Sequence, residues 1–206
     1  MNLQNPRPAV SAAIEVLEDG GVVVFPTDTL YGLLANALDP RAVEKVFAIK
    51  SRSHSKPLPI IARNLMWIEE LAYITPRQRP ILEKIWPGTI TTVLHRKRII
   101  PDIITAGNLT VAIRVPDSPL LDELLAKYGY PLTATSASIS GEHSPQRIEN
   151  IISMFRDSPM KPDLVIDAGT LAPSEPSTLL DLTGSHPKIL RVGATNPQQL
   201  MELLKM

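Results

Sequence analysis

The chain has 206 residues, 44% hydrophobic and 20% charged, which is ordinary globular usage and excludes a fibrous repeat or wholesale disorder. Its 21 basic residues balance 21 acidic ones, so affinity for nucleic acid can come only from local clusters, and the lack of cysteine excludes disulfides, a thiolate nucleophile and thiolate zinc sites. No run reaches the ~18 apolar residues of a membrane span and residues 1–10 lack the charged-then-apolar layout of a secretion signal, so one cytoplasmic domain over residues 1–206, with no membrane partner, is expected.

Val10, Ala13, Ile14 and Leu17 recur at helical spacing up to Gly20-Gly21, and Val22-Val23-Val24-Phe25 follows as a continuous apolar run. This predicts helix, C-cap and buried strand. Pro26-Thr27-Asp28-Thr29 breaks the strand, and Asp39-Pro40 opens a helix whose Val43, Val46 and Phe47 share a face and whose C-terminal end is Lys50. Further strands are predicted over residues 58–61, 91–94, 111–115, 132–135, 164–167, 178–182 and 189–192. Helices are predicted over 66–71, 76–85, 119–126, 145–155 and 197–204. Interleaving of the two types implies an α/β fold, a twisted mixed parallel/antiparallel sheet with flanking helices, and the closely spaced last strands suggest antiparallel pairing there.

Three loops at strand or helix ends carry candidate chemistry. Residues 50–57, KSRSHSKP, place Lys50, Arg52 and Lys56 close together, and such cations repel unless an anion or carboxylate lies between them. A solvated surface loop is the plain alternative. Residues 133–141, TATSASISG, end a strand in small hydroxyl residues, and Ser144-Pro145 makes a good N-cap for the next helix, either as an anion site or as a capped turn without a ligand. In Pro26–Leu33 an acid and hydroxyls follow a strand, so Asp28 could cap a turn or orient a substrate amine. The proline-rich stretch Ala172 to Ser177 is a candidate lid or wall. Arg114, inside an apolar strand, needs a protein acid or a ligand carboxylate, and Arg191 raises the same question. The run His95-Arg96-Lys97-Arg98 reads as a solvated hairpin or an RNA-facing patch. Glycine spacing matches no Rossmann or Walker pattern, there is no G-x-S-x-G, and four scattered histidines offer no metal pair.

In this order, FPTDTLYGL at 25–33, KSRSHSKPL at 50–58, WPGTITTVL at 86–94, VAIRVP at 111–116, TSASISGEHSP at 135–145, PSTLLDL at 176–182 and ILRVG at 189–193 resemble the YrdC-like family over nearly the whole chain. The resemblance implies a concave basic groove and synthesis of L-threonylcarbamoyladenylate from L-threonine, bicarbonate and ATP, with release of pyrophosphate and Mg²⁺ accompanying ATP. By matching motif it implies Lys50, Arg52, Lys56, Ser136, Ser144 and Arg191 around the nucleotide, Lys50, Arg52, Ser136 and Ser138 at the reacting phosphate, and Thr29, Arg114 and Ser177 around threonine. Lys50 and Arg52 are expected on a loop that contributes little core. Two positions depart from the pattern: Ser138 stands where the family has asparagine and Ile61 where it often has histidine. The chain is similar to the short members or to the YciO-like paralogs. The alternative function is therefore a non-enzymatic RNA-binding, translation-associated protein using the same groove, with a carbamoyl-transferring relative a third reading. Implied partners are tRNA or double-stranded RNA and other tRNA-modification proteins.

Overall fold

The apolar run after Gly20-Gly21 is a strand buried on both faces, which explains why it does not alternate. The computed structural model describes residues 6–142 and 144–204. Its elements begin with α1 (Pro6–Glu18), β1 (Val23–Pro26), β2 (Tyr31–Leu34), α2 (Pro40–Lys50), β3 (Ile60–Ile61), α3 (Leu65–Leu71) and β4 (Ala72–Tyr73). There follow α4 (Arg79–Ile85), β5 (Ile90–Arg96), α5 (Asp102–Thr105), β6 (Thr110–Arg114), α6 (Pro119–Tyr128), β7 (Leu132–Thr133) and β8 (Thr135–Ser136). The last are α7 (Ile148–Arg156), β9 (Leu164–Val165), β10 (Thr178–Asp181), β11 (Lys188–Arg191) and α8 (Pro197–Leu204).

The expected mixed pairing is present but divided between two sheets. One has the order β8-β2-β1-β9 and the other β11-β10-β5-β6-β3-β7, with β4 also on β5. In the larger sheet β5 runs antiparallel to β6 and parallel to β10, and β10 and β11 are antiparallel as their spacing suggested. Val23 and Phe25 pack on one side of the smaller sheet against Ala9, Val10, Ala13 and Leu17 of α1 and Leu121, Leu124 and Leu125 of α6. Val22 and Val24, offset by one residue, enter a second core with Val43, Val46 and Phe47 of α2 and with Leu94, Ile113 and Leu180 of the larger sheet.

The structure corrects several boundaries. The stretch predicted as one strand over 132–135 is two: β7 belongs to the larger sheet and β8 to the smaller, so the chain changes sheets at Ala134. β2 was not predicted, and it forms a hairpin with β1 in which Pro26 faces Tyr31. The α7 helix starts at Ile148, with Arg147 as N-cap and no side-chain cap bond, so Ser144 is not its cap. Prolines 57 and 59 shorten β3 to two residues. Among the described residues no helix is long and apolar enough to cross a membrane.

Candidate functional site

Strand alternation in the larger sheet sends Thr92, Leu94, Ile113 and Leu180 into the core and turns Thr91, Ala112, Arg114 and Leu179 the other way. Pairing extends this second face: Leu179 lies opposite both Thr91 and Arg191, and Ile61 lies opposite Arg114. These residues form the floor of a cavity of about 500 Å³. Its walls are the β1–β2 loop, the segment after α2, the crossing at Ala134 to Ser136, and Pro176-Ser177, the last two residues of the proline-rich stretch.

Among the described residues, Arg52, Lys56, Arg114 and Arg191 line the cavity and no carboxylate does. A second hollow of about 570 Å³, beside Trp86, has the opposite character: Arg63 on its lining is paired with Asp122, and Glu83 and Asp117 also line it. Charge therefore singles out the first cavity for an anion.

Local folding explains how the cations are held. Asp39 caps α2 by accepting from the Arg41 N–H, and the helix ends at Ser51 in the left-handed region, with the Arg52 N–H donating to the Phe47 carbonyl. That turn sends neighbouring side chains in opposite directions. Arg52 reaches the cavity while its guanidinium donates to the Lys56 and Pro57 carbonyls at 3.2 and 3.0 Å, curling the loop. His54 stacks on Phe47 and bonds Glu44, fixing the loop's outer side.

Lys50 behaves differently: expected on a loop that contributes little core, it is instead the buried last residue of α2. It is 2% exposed, and its ammonium donates to the Ser136 and Ser138 carbonyls, both at 2.5 Å, while its own carbonyl accepts from the Ser140 N–H. Burial, reinforced by the Arg52 charge, lowers its pKa to about 7. Ser138 is also buried, its hydroxyl 3.3 Å from that of Ser136 and 3.2 Å from that of Ser144. Lys50, Ser138 and Ser144 thus stand directly behind the wall that Ser136 presents.

Arg114 has the protein acid that its apolar strand demanded. One guanidinium nitrogen bonds both Asp28 oxygens at 2.8 and 2.9 Å, and Asp28 also accepts from the Asp117 N–H. Asp28 is therefore the partner of Arg114. Burial lowers the Arg114 pKa and Asp28 opposes that shift, so the group stays cationic. Thr29 lines the same side, its hydroxyl 3.1 Å from that of Thr27, which staples the loop by donating to the Leu30 carbonyl.

Ser177 is fastened from behind. Arg191 donates to its carbonyl, and the Ala194 N–H donates to the Pro176 carbonyl. A Cβ at Gly193 would lie 2.0 Å from that carbonyl, so only glycine permits this approach. Sequence reasoning missed Thr91, whose hydroxyl is 2.7 Å from that of Ser177, along with Thr27, Ser55 and Thr135 on the lining. The run at 95–98 lies at the far end of β5 from Thr91. Arg96 is spent on Asn108, Ile100 and Asp102 and Lys97 on the Glu69 carbonyl, while His95 and Arg98 remain exposed.

Comparison with known proteins places this arrangement. The family model Sua5_yciO_yrdC, described as telomere recombination, matches residues 15–193. A Methanocaldococcus jannaschii protein, provisionally assigned as a threonylcarbamoyl-AMP synthase, is 40% identical over 182 residues, 88% of this chain and 84% of its own. The threonylcarbamoyl-AMP synthase of Yersinia enterocolitica is 33% identical over 180 residues, 85% of this chain and 93% of its own. Sua5 of Pyrococcus abyssi, solved in complex with L-threonine, superposes with a TM-score of 0.88 at 34% identity, covering 95% of this chain and 57% of that longer one.

Proposed function

Because the chain belongs to the Sua5/YciO/YrdC family, we propose that it is a threonylcarbamoyl-AMP synthase, converting L-threonine, bicarbonate and ATP to threonylcarbamoyl-AMP and pyrophosphate for the threonylcarbamoyladenosine modification of tRNA. The observation that carries this reading is a cavity whose lining, among the described residues, has four cationic side chains and no acidic one. A triphosphate and an amino-acid carboxylate together suit such a lining, and a neutral or cationic substrate does not.

The cations divide into two groups. Arg52, Lys56 and Arg191 surround the nucleotide phosphates, with Ser136 presenting its hydroxyl beside them. Arg114 takes the threonine carboxylate through the guanidinium nitrogens that Asp28 leaves free, and Thr29 and Ser177 line that end.

The neutral threonine amine first attacks the bicarbonate carbon; a C–O bond of bicarbonate breaks, the oxygen leaves as water with a proton from the nitrogen, and a carbamate remains. A carbamate oxygen then forms a bond to the α-phosphorus as the bond to the bridging oxygen of the β-phosphate breaks, and the electron pair leaves on pyrophosphate. The attacking oxygen is already anionic, so no general base is needed for this step, and the protein acts by positioning and by neutralising charge on the departing diphosphate. Mg²⁺ entering on ATP would supply further charge neutralisation on the phosphates. Lys50 contributes from behind, holding the carbonyls of Ser136 and Ser138 so that the wall keeps its shape.

The test uses ¹³C-labelled bicarbonate with ATP and L-threonine, and mass spectrometry of the nucleotide product. Label in an AMP adduct that also contains threonine is the expected result. ATP consumption without any such adduct would remove the synthase reading.

A further inference from the structure

We propose that Thr91 is a specificity-determining positioning residue: with Ser177 it forms a hydroxyl pair that reads the side-chain hydroxyl of the amino-acid substrate. This rests on the synthase reading above and adds how threonine is told from amino acids of similar size.

Thr91 is 4% exposed, on the cavity face of β5, between Leu179 of β10 and Arg114 of β6. Valine would fill the same space on the strand, and a hydroxyl buried there is unfavourable unless it is hydrogen-bonded. Among the described residues its hydroxyl partner is Ser177, at 2.7 Å. Two hydroxyls carry two protons, and their mutual bond uses one. The pair therefore retains one O–H donor and unused lone pairs, and both residues line the cavity.

Position decides what the pair can read. The β5–β6 register, with Thr92 opposite Ile113, carries Thr91 to the place opposite Arg114. Side chains opposed in this way lie about 4.5–5.5 Å apart. An amino acid with its carboxylate on Arg114 thus brings the substituents of its β-carbon towards Thr91 and Ser177. A β-hydroxyl can accept from the free donor of the pair and donate to one of its lone pairs, whereas the methyl of valine at that point would leave the pair's free O–H donor without an acceptor, the bond between the two hydroxyls being kept. A site built to bond a hydroxyl rejects an analogue lacking it far more strongly than an apolar pocket rejects one methylene. Ser177 can hold this geometry because its segment is clamped by Arg191 and Ala194.

The experiment is calorimetric binding of L-threonine, L-serine and L-valine to the parent, Thr91→Val, Thr91→Ser and Ser177→Ala, with ATP binding and thermal unfolding measured alongside. Thr91→Val should bind threonine about tenfold or more weakly, with ATP affinity and melting temperature unchanged and the preference for threonine over valine reduced. Ser177→Ala should show the same pattern, and Thr91→Ser should restore both affinity and preference. Threonine affinity within about twofold of the parent in Thr91→Val, or a preference over valine that survives in it, would overturn the inference while leaving the synthase reading in place. A parent that binds ATP but no threonine would overturn that reading, and the role of Thr91 with it.

Discussion

The two sides of the cavity are held by opposite means. On the loop side, Arg52 and Lys56 stand on a curled segment after α2, tied by bonds to backbone carbonyls and partly open to water. On the floor, Arg114, Thr91 and Ser177 are set by strand register and by bonds between side chains far apart in sequence. A loop can adjust to a flexible triphosphate by charge alone, whereas a strand floor discriminates, because a misfitting ligand leaves buried groups unpaired. Lys50 belongs with the floor in its energetics, although it sits in the loop's sequence.

The sharpest way to separate the two sides is Arg114→Ala. Removing the guanidinium leaves Asp28 buried without its cation, which should cost about 3–5 kcal/mol of stability and abolish threonine binding. Calorimetric melting and titration read both effects. The double variant Arg114→Met with Asp28→Asn should regain most of the stability and none of the binding.

Lys50→Ala comes next, at about 2–3 kcal/mol of stability, because two carbonyls lose a charged donor and the buried stem leaves a void. Here pH supplies an independent check. The amine has a pKa near 7 in the folded chain against an ordinary 10.5, so the unfolded chain binds more protons between those values. The penalty of the buried charge is fully present below about pH 7 and fades as pH rises towards 10.5. Denaturant unfolding at about pH 6.5 and about pH 9 should show the parent gaining stability relative to Lys50→Met at the higher pH.

Arg52→Ala should do the reverse of both, weakening ATP binding about tenfold to a hundredfold while changing stability by less than about 0.5 kcal/mol. Its effect should shrink at high ionic strength, a dependence that threonine binding at the floor should not share. The smallest effect is expected from Ser138→Ala, which interrupts the hydroxyl chain from Ser136 to Ser144 behind the wall and should lower turnover about twofold to fivefold with ATP affinity unchanged.

What could be read from the sequence follows the same division. The β1 strand was legible because it is buried on both faces, and α2 because Asp39-Pro40 opens it and three apolar residues share a face. The need of Arg114 for a partner was legible from its apolar strand, but not the partner, since Asp28 is 86 residues away and arrives through the β1–β2 hairpin. That hairpin was hidden because Tyr31-Gly32-Leu33-Leu34 is a four-residue strand containing a glycine. The change of sheet at Ala134 leaves two strands of two residues each, too short to show any period. Thr91 was hidden for a chemical reason: threonine suits a strand by shape, and only the bond to Ser177 shows that the hydroxyl has a use. The burial of Lys50 contradicts its basic, serine-rich surroundings, and it depends on the left-handed turn at Ser51, which composition does not disclose.

The most direct measurement of the central claim is pyrophosphate release from ATP by the purified chain, with L-threonine and bicarbonate supplied together and each omitted in turn. The account predicts release that requires both, that Arg52→Ala suppresses in a way that more ATP restores, and that Arg114→Ala suppresses in a way that more ATP does not. Release indifferent to threonine, or no release from a folded chain that binds both ATP and threonine, would contradict it.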